Sequence, residues 1–90
     1  MAVIYIHSSL RFYTNGQAEV ITTRRTVAEA IEQLLEDNKM LKKQLLDENN
    51  ELRRFVNLFV NNENIRELDG LQTELTEEDR LMIVPSIAWG

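Results

Sequence analysis

A capped amphipathic helix set between stretches that alternate with a period of two is the feature that most narrows what this chain can become. Thr26-Val27-Ala28-Glu29 has the form of a capping box: the Thr26 hydroxyl can bond the amide three residues on, and Glu29 can reach back. Beyond it, Val27, Ala30, Ile31, Leu34 and Leu35 recur at helical spacing and give one apolar stripe. Glu29, Glu32, Glu36 and Asp37 fall largely off that stripe, and the early acids suit the positive end of the helix dipole. A helix with one apolar face must cover another layer, and the flanking segments say that this layer is a sheet.

Residues 2–7 alternate as a strand, with Ile4 and Ile6 on one face and Val3 and Tyr5 on the other. His7-Ser8-Ser9-Leu10-Arg11 breaks it, and Asn15-Gly16 is a turn signal because both residues tolerate positive φ. A second strand is predicted at 17–23 with Ala18, Val20 and Thr22 facing one way, so the first two strands form an antiparallel hairpin with a short loop. After the helix, Asn38-Lys39 can interrupt it, and Met40, Leu41, Leu45 and Leu46 carry a second, shorter stripe. The two stripes hold too few heptads for a coiled coil. Asp47–Glu51 reads as a polar loop. Residues 53–60 form a third strand, with Val56, Leu58 and Val60 facing one way and Phe55, Asn57 and Phe59 the other. Asn61-Asn62 turns the chain, and 64–70 is irregular, one helical turn closed by Gly70. A short fourth strand at 71–75, a turn at Thr76–Asp79 and a last strand at 80–84 complete the order.

This order, β-β-α-(α)-β-β-β, is α+β. A right-handed crossover from the second strand through the helix to the third lays the helix across one face of a mixed sheet. The architecture predicted is a β-grasp: a sheet of four to five strands packed on one main helix, as in ubiquitin. The inward set is Ile4, Ile6, Val20, Val27, Ile31, Leu34, Leu35, Val56, Leu58, Val60, Leu81 and Ile83. One domain is expected over 1–85, followed by a flexible tail at 86–90.

Composition removes several classes of function. A net charge of −5 argues against nucleic acid, whose phosphates demand a basic face. The basic clusters Arg24-Arg25, Lys39-Lys42-Lys43 and Arg53-Arg54 are short and lack interleaved stacking aromatics. The chain has no cysteine, hence neither a disulfide nor a thiolate metal site. No apolar run approaches the ~18 residues of a membrane span. Met1-Ala2-Val3-Ile4-Tyr5-Ile6 has no basic lead and reads as a strand, so cytoplasmic residence and no membrane partner are expected. The one histidine, His7, adjoins Ser8 and Ser9, but neighbours in sequence do not make a triad. Glu77-Glu78-Asp79 reads as a solvated turn, and Gly16, Gly70 and Gly90 form no phosphate loop. No catalytic residue, bound cofactor or metal is therefore expected.

Two features remain. On the sheet face away from the helix, Phe59, Met82 and Val84 would be neighbours, with Val3 and Tyr5 further across. A sheet covered by one helix leaves its second face wet, and contiguous apolar side chains there suit a partner-docking patch. The alternative is that 61–75 folds back over part of it. The second feature is the end of the chain, where the run Leu81-Met82-Ile83-Val84 reaches Pro85 and small residues follow to a glycine.

These residues carry a family likeness. Arg53–Asn61, Ile65-Arg66-Glu67-Leu68-Asp69-Gly70, Thr73-Glu74-Leu75 and Asp79–Pro85 closely resemble the MoaD/ThiS family of ubiquitin-like sulfur carriers. Leu10-Arg11-Phe12-Tyr13, Gly16–Val20 and Thr26–Ala30 fit too, so the likeness covers essentially the whole chain. The longer middle with its Asp47–Glu51 loop is most similar to the cysteine-synthesis carriers and the small archaeal modifiers. The resemblance implies that Gly90 is adenylated by a ubiquitin-activating-type enzyme, with ATP and Mg²⁺ as that partner's co-substrates. Sulfur then displaces AMP, leaving a thiocarboxylate that a sulfur-accepting biosynthetic enzyme consumes. An ionised carboxylate is a poor acyl donor until activated, and a glycine without Cβ threads a narrow active site.

One position departs from the family pattern. Such carriers normally end in two glycines, whereas here Ala88 is followed by Trp89 and Gly90. An indole of the order of 150–250 Å² would crowd a channel shaped for glycine. Trp89 could instead pack on its own sheet or on a second molecule. The same tail would also serve a modifier joined to lysines of other proteins, and a module that keeps the fold without the chemistry is the third reading.

Overall fold

The computed structural model describes residues 1–85; the predicted flexible tail, 86–90, lies outside the described residues. Strands β1 (Ala2–Ile6), β2 (Glu19–Thr22), β3 (Val56–Val60), β4 (Glu63–Asn64) and β5 (Arg80–Pro85) form one five-stranded sheet in the order β2-β1-β5-β3-β4. The central pair β1 and β5 is parallel and the other pairings are antiparallel, so the sheet is mixed as predicted. Helices α1 (Val27–Asp37) and α2 (Lys39–Leu45) share the core with one face of this sheet.

Register explains the core. Ile4 faces Leu81 and Ile6 faces Ile83 across β1 and β5, while Ile83 faces Leu58 and Leu81 faces Val60 across β5 and β3. Because side chains alternate along a strand, these aligned pairs all point to the helical side. Val27, Ala30, Ile31, Leu34 and Leu35 meet them there. Every residue of the expected inward set is buried except Val20, which is half-buried because β2 is an edge strand. Leu10, Leu41, Leu45, Ile65 and Leu75 complete the cluster.

The start of α1 follows the capping prediction. The Thr26 hydroxyl accepts from the Glu29 amide at 3.2 Å and lies 3.3 Å from Glu29 Oε1. The returning limb of the box thus goes to the cap's hydroxyl. At the other end Asn38 departs from helical geometry, at φ −138° and ψ 74°, and its side-chain amide donates to the Leu34 carbonyl at 3.0 Å. That bond satisfies one of the carbonyls left open by the helix end and lets α2 begin in a new direction. Leu41 and Leu45 from the second stripe are fully buried, whereas Met40 is exposed and Leu46 half-buried.

Three sequence expectations are corrected. The β1–β2 connection is a 3-10 helix, Ser8–Thr14, instead of a short loop. Leu10 enters the core from it, and the buried Thr14 hydroxyl donates to the Gln17 carbonyl at 3.0 Å. Asn15 and Gly16 do take positive φ, 55° and 82°, but they close this helix, with Gly16 N–H donating to the Arg11 carbonyl at 2.7 Å. The third strand begins at Val56 and not at 53, because Arg53 is tied to the end of α2: its amide donates to the Leu45 carbonyl at 2.8 Å and its Nε to that of Lys43 at 3.0 Å. Phe55 therefore sits in a turn, off the ladder.

The expected strand at 71–75 does not form. Asn61 and Asn62, at φ 51° and 72°, make the two-residue turn that pairs β3 with β4, as their tolerance of left-handed backbone allows. The chain then runs through 3-10 turns at Ile65–Glu67 and Gly70–Gln72, and Gly70, at φ +58°, opens the second turn without closing the first. Residues 73–75 pair with the entry to α1: the Val27 amide donates to the Thr73 carbonyl at 3.0 Å and the Leu75 amide to that of Arg25 at 2.7 Å.

Candidate functional site

The sheet face away from the helices carries the residues of odd parity on β1, β3 and β2 and of even parity on β5. Phe59 stands opposite Met82, Met82 opposite Tyr5, and Val84 opposite Asn57. Met82 is thus the centre of a row, Tyr5–Met82–Phe59, crossing three adjacent strands. It is 40 % exposed, while Phe59, Val84, Tyr5 and Val3 are half-buried. A hollow of about 310 Å³ between Tyr5, Met82, Arg80 and Asn61-Asn62 borders the row. The structure therefore brings together the predicted patch of Phe59, Met82 and Val84.

Residues 61–75 cover only the Asn57 edge of this face. Ile65 and Leu75 are buried in the core on the opposite side, which commits the segment to the helical layer. What reaches the patch is Arg66, whose guanidinium donates to Asn57 Oδ1 at 2.9 Å and to the Arg54 carbonyl at 3.3 Å. One member of the face escaped the sequence reading: Ile21, paired with Val3 and 59 % exposed. Its signal was present in the alternation of β2, since Val20 and Thr22 on the inner side force Ile21 outward.

The second part of the site is the root of the tail. β5 lies between β1 and β3, and its last residue, Pro85, pairs with Val56. The strand that carries Met82 and Val84 is thus the strand that leads to Ala88, Trp89 and Gly90, which lie outside the described residues.

The other candidates have structural work. His7 caps the first 3-10 helix: its Nδ1 accepts from the Ser9 amide at 3.1 Å and lies 2.8 Å from the Ser9 hydroxyl. Asp79 accepts from the Thr76 amide and from Asn61 Nδ2, each at 2.7 Å, so its acid holds the turn before β5. Its carboxyl lies below the usual range, chiefly because of the Thr76 amide, with burial opposing and the Asn61 amide adding. Among the described residues no group of three or more His, Cys, Asp or Glu is placed to hold a metal, and no helix is long and apolar enough to cross a membrane.

Comparison with known proteins places this geometry in context. The model of the ThiS family matches residues 4–90. The sulfur carrier protein CysO of Mycobacterium tuberculosis is 33 % identical, over 97 % of this chain and 96 % of the relative. In the crystal structure of the Amycolatopsis orientalis BexX/CysO complex, a chain of 33 % identity superposes with a TM-score of 0.88 over 100 % of both chains. Small archaeal modifier protein 1 from Methanosarcina acetivorans superposes with a TM-score of 0.85 at 27 % identity, over 99 % of this chain and 95 % of that one.

Proposed function

Because this chain belongs to the ThiS family of β-grasp proteins, we propose that it is a sulfur carrier whose C-terminal Gly90 is the loading point. Its curated relatives are small carriers rather than enzymes, and on this reading the chain brings a docking surface and an acyl end while a partner supplies catalysis. The observation that carries the reading is the placement of Met82, which stands at the centre of the apolar row on the strand that runs into the tail.

The chemistry proposed is acyl activation. The Gly90 carboxylate attacks the α-phosphorus of ATP in an adenylating partner of ubiquitin-activating type, with Mg²⁺ held by that partner, giving an acyl-adenylate and pyrophosphate. Hydrosulfide then adds to the activated carbonyl, AMP leaves with the carbon–oxygen bond to its phosphate broken and the sulfur gives up its proton, so a thiocarboxylate remains for a sulfur-accepting biosynthetic enzyme. The row Tyr5–Met82–Phe59 would hold the body while the tail reaches the nucleotide. Burying such a patch contributes roughly 25 cal/mol per Å² before the costs of association.

A second reading, conjugation to lysines of other proteins, is favoured by the likeness to the archaeal modifier. Incubation with a cognate activating enzyme, ATP and a sulfur donor, followed by intact mass measurement, separates the two. The carrier reading expects replacement of one oxygen by sulfur; a ladder of covalent adducts with target proteins supports conjugation. A chain whose mass never changes under these conditions would falsify both.

A further inference from the structure

Arg80 has the same parity as Met82 and Val84, so β5 sets a cation at one end of the apolar row on the outer face of the sheet. Its exposed side chain lines the hollow beside Tyr5 and Met82, while its backbone is held by Asn61 through both amide and carbonyl. At the other end stands Arg66, which reaches the face from the turn after β4 and donates to Oδ1 of Asn57, the residue opposite Val84. Arg80 and Val84 lie four positions apart in one strand, so the two cations bracket ~13 Å of sheet. The acid among the strand residues of this face is Glu19, on the edge strand opposite Tyr5, with the whole of β1 between it and Met82. Asp79, next to Arg80, spends its carboxylate on Thr76 and Asn61. A chain of net charge −5 thus places cations, not acids, at both ends of its apolar row.

We propose that Arg66 and Arg80 are the specificity-determining pair of the docking face, and that it fits a protein surface with an apolar seat for Met82 set between two carboxylates. Taking that protein to be the activating partner rests on the carrier reading; the chemistry of the surface does not. Carboxylate is the anion that suits Arg66. Its Nη1 donates to Asn57 at 2.9 Å, and its Nη2 to the Arg54 and Val56 carbonyls at 3.3 and 3.5 Å. Nε takes no part in these bonds and keeps its N–H for a further acceptor. The guanidinium is therefore held in place before a partner arrives, and pairing it with a planar carboxylate costs little further ordering. Nucleic acid would need a continuous basic track, whereas here Met82, Val84 and Phe59 separate the two cations and the net charge repels phosphates. A protein that seats the apolar row excludes water around both arginines and strengthens each pair.

The test is the rate at which the full chain associates with its cognate activating enzyme, followed by stopped flow over a range of salt. Arg66→Gln with Arg80→Gln is expected to slow association about tenfold at low salt. The gap should close near 0.5 M salt, where the Debye length is only ~4 Å. Lys42→Gln with Lys43→Gln removes the same charge from exposed positions on α2, on the helical side, and is expected to leave the rate within about twofold. Equal slowing by the two double variants would make net charge the cause and overturn the proposal, as would a parent rate indifferent to salt. Arg66→Lys keeps the charge but not the fork, so it should associate like the parent and dissociate faster. An association rate as low as that of Arg66→Gln would make Arg66 a brace for Asn57 and Arg54 and overturn its place in the pair. Retention of the parent on heparin, lost in the arginine double variant, would assign the face to a polyanion and likewise overturn it. The carrier reading fails separately: a parent that binds with this salt dependence, yet never changes mass with ATP and a sulfur donor, removes that reading and leaves the arginine pair standing. A parent that does not bind the enzyme overturns both.

Discussion

Asn61 Nδ2 donates to Asp79 Oδ1 at 2.7 Å, joining the turn that ends β3 to the turn that begins β5. The same asparagine accepts from the Arg80 amide through Oδ1 at 3.0 Å, and its own amide donates to the Arg80 carbonyl at 2.9 Å. These bonds pin the end of the β3–β5 ladder opposite to the Val56–Pro85 pair. Asn61 can do this because its backbone is left-handed, φ 51°, a conformation asparagine accepts readily.

Asp79→Ala is expected to lower stability at pH 7 by about 1 kcal/mol, through the loss of partly exposed charge-assisted bonds to Thr76 and Asn61. The folded-state acid is held below its ordinary value, chiefly by the Thr76 amide. Its stabilisation is therefore present above the unfolded value and lost as pH falls through the lower folded one. Urea titrations of parent and variant should differ most near neutrality and draw together only as the pH falls through the lowered folded value. A gap that widens on acidification would contradict this account.

Met82→Asp is expected to weaken binding of the activating partner tenfold or more, because a charge at the centre of a desolvated apolar contact costs upwards of ~1.4 kcal/mol. Its exposure should keep the change in unfolding free energy within about 0.5 kcal/mol. Calorimetric titration beside thermal unfolding distinguishes a lost surface from a lost fold.

Trp89→Gly is expected to raise the rate of adenylation by giving the tail the slender end that such chemistry favours. Deletion of Gly90 is expected to abolish it. Pyrophosphate release measured with the cognate activating enzyme checks both, and an unaltered rate in the deletion would refute the role assigned to Gly90.

Leu45→Ala is expected to cost 2–5 kcal/mol, as a fully buried leucine that pins α2 to the core. Thr26→Ala should cost about 1 kcal/mol through loss of the bond to the Glu29 amide. Equilibrium denaturation of the two variants ranks the anchoring of α2 above the capping of α1.

What the sequence made legible was what depends on local period and local hydrogen bonding. The stripe from Val27 to Leu35, the Thr26 cap, the break at Asn38 and the turn at Asn61-Asn62 are each set by neighbours within about four residues. The patch was legible too, because the parity of Phe59, Met82 and Val84 follows from their inward neighbours. What misled was pairing between distant segments. Residues 71–75 have strand-like composition, but Thr73, Glu74 and Leu75 spend their backbone bonds on the loop before α1 and join no strand of the sheet. Arg53 and Phe55 likewise look like strand residues until the carbonyls at the end of α2 claim Arg53. The 3-10 helix at Ser8–Thr14 is stabilised by Leu10 in a core assembled from every other part of the chain, which no local pattern announces.

Because the strand leading to the terminus is flanked on both sides, a force drawn along the tail does not peel an edge one bond at a time. It loads the rungs to β1 and β3 together in shear, one ladder parallel and the other antiparallel. Tension applied at Pro85 is therefore resisted by both neighbouring strands at once.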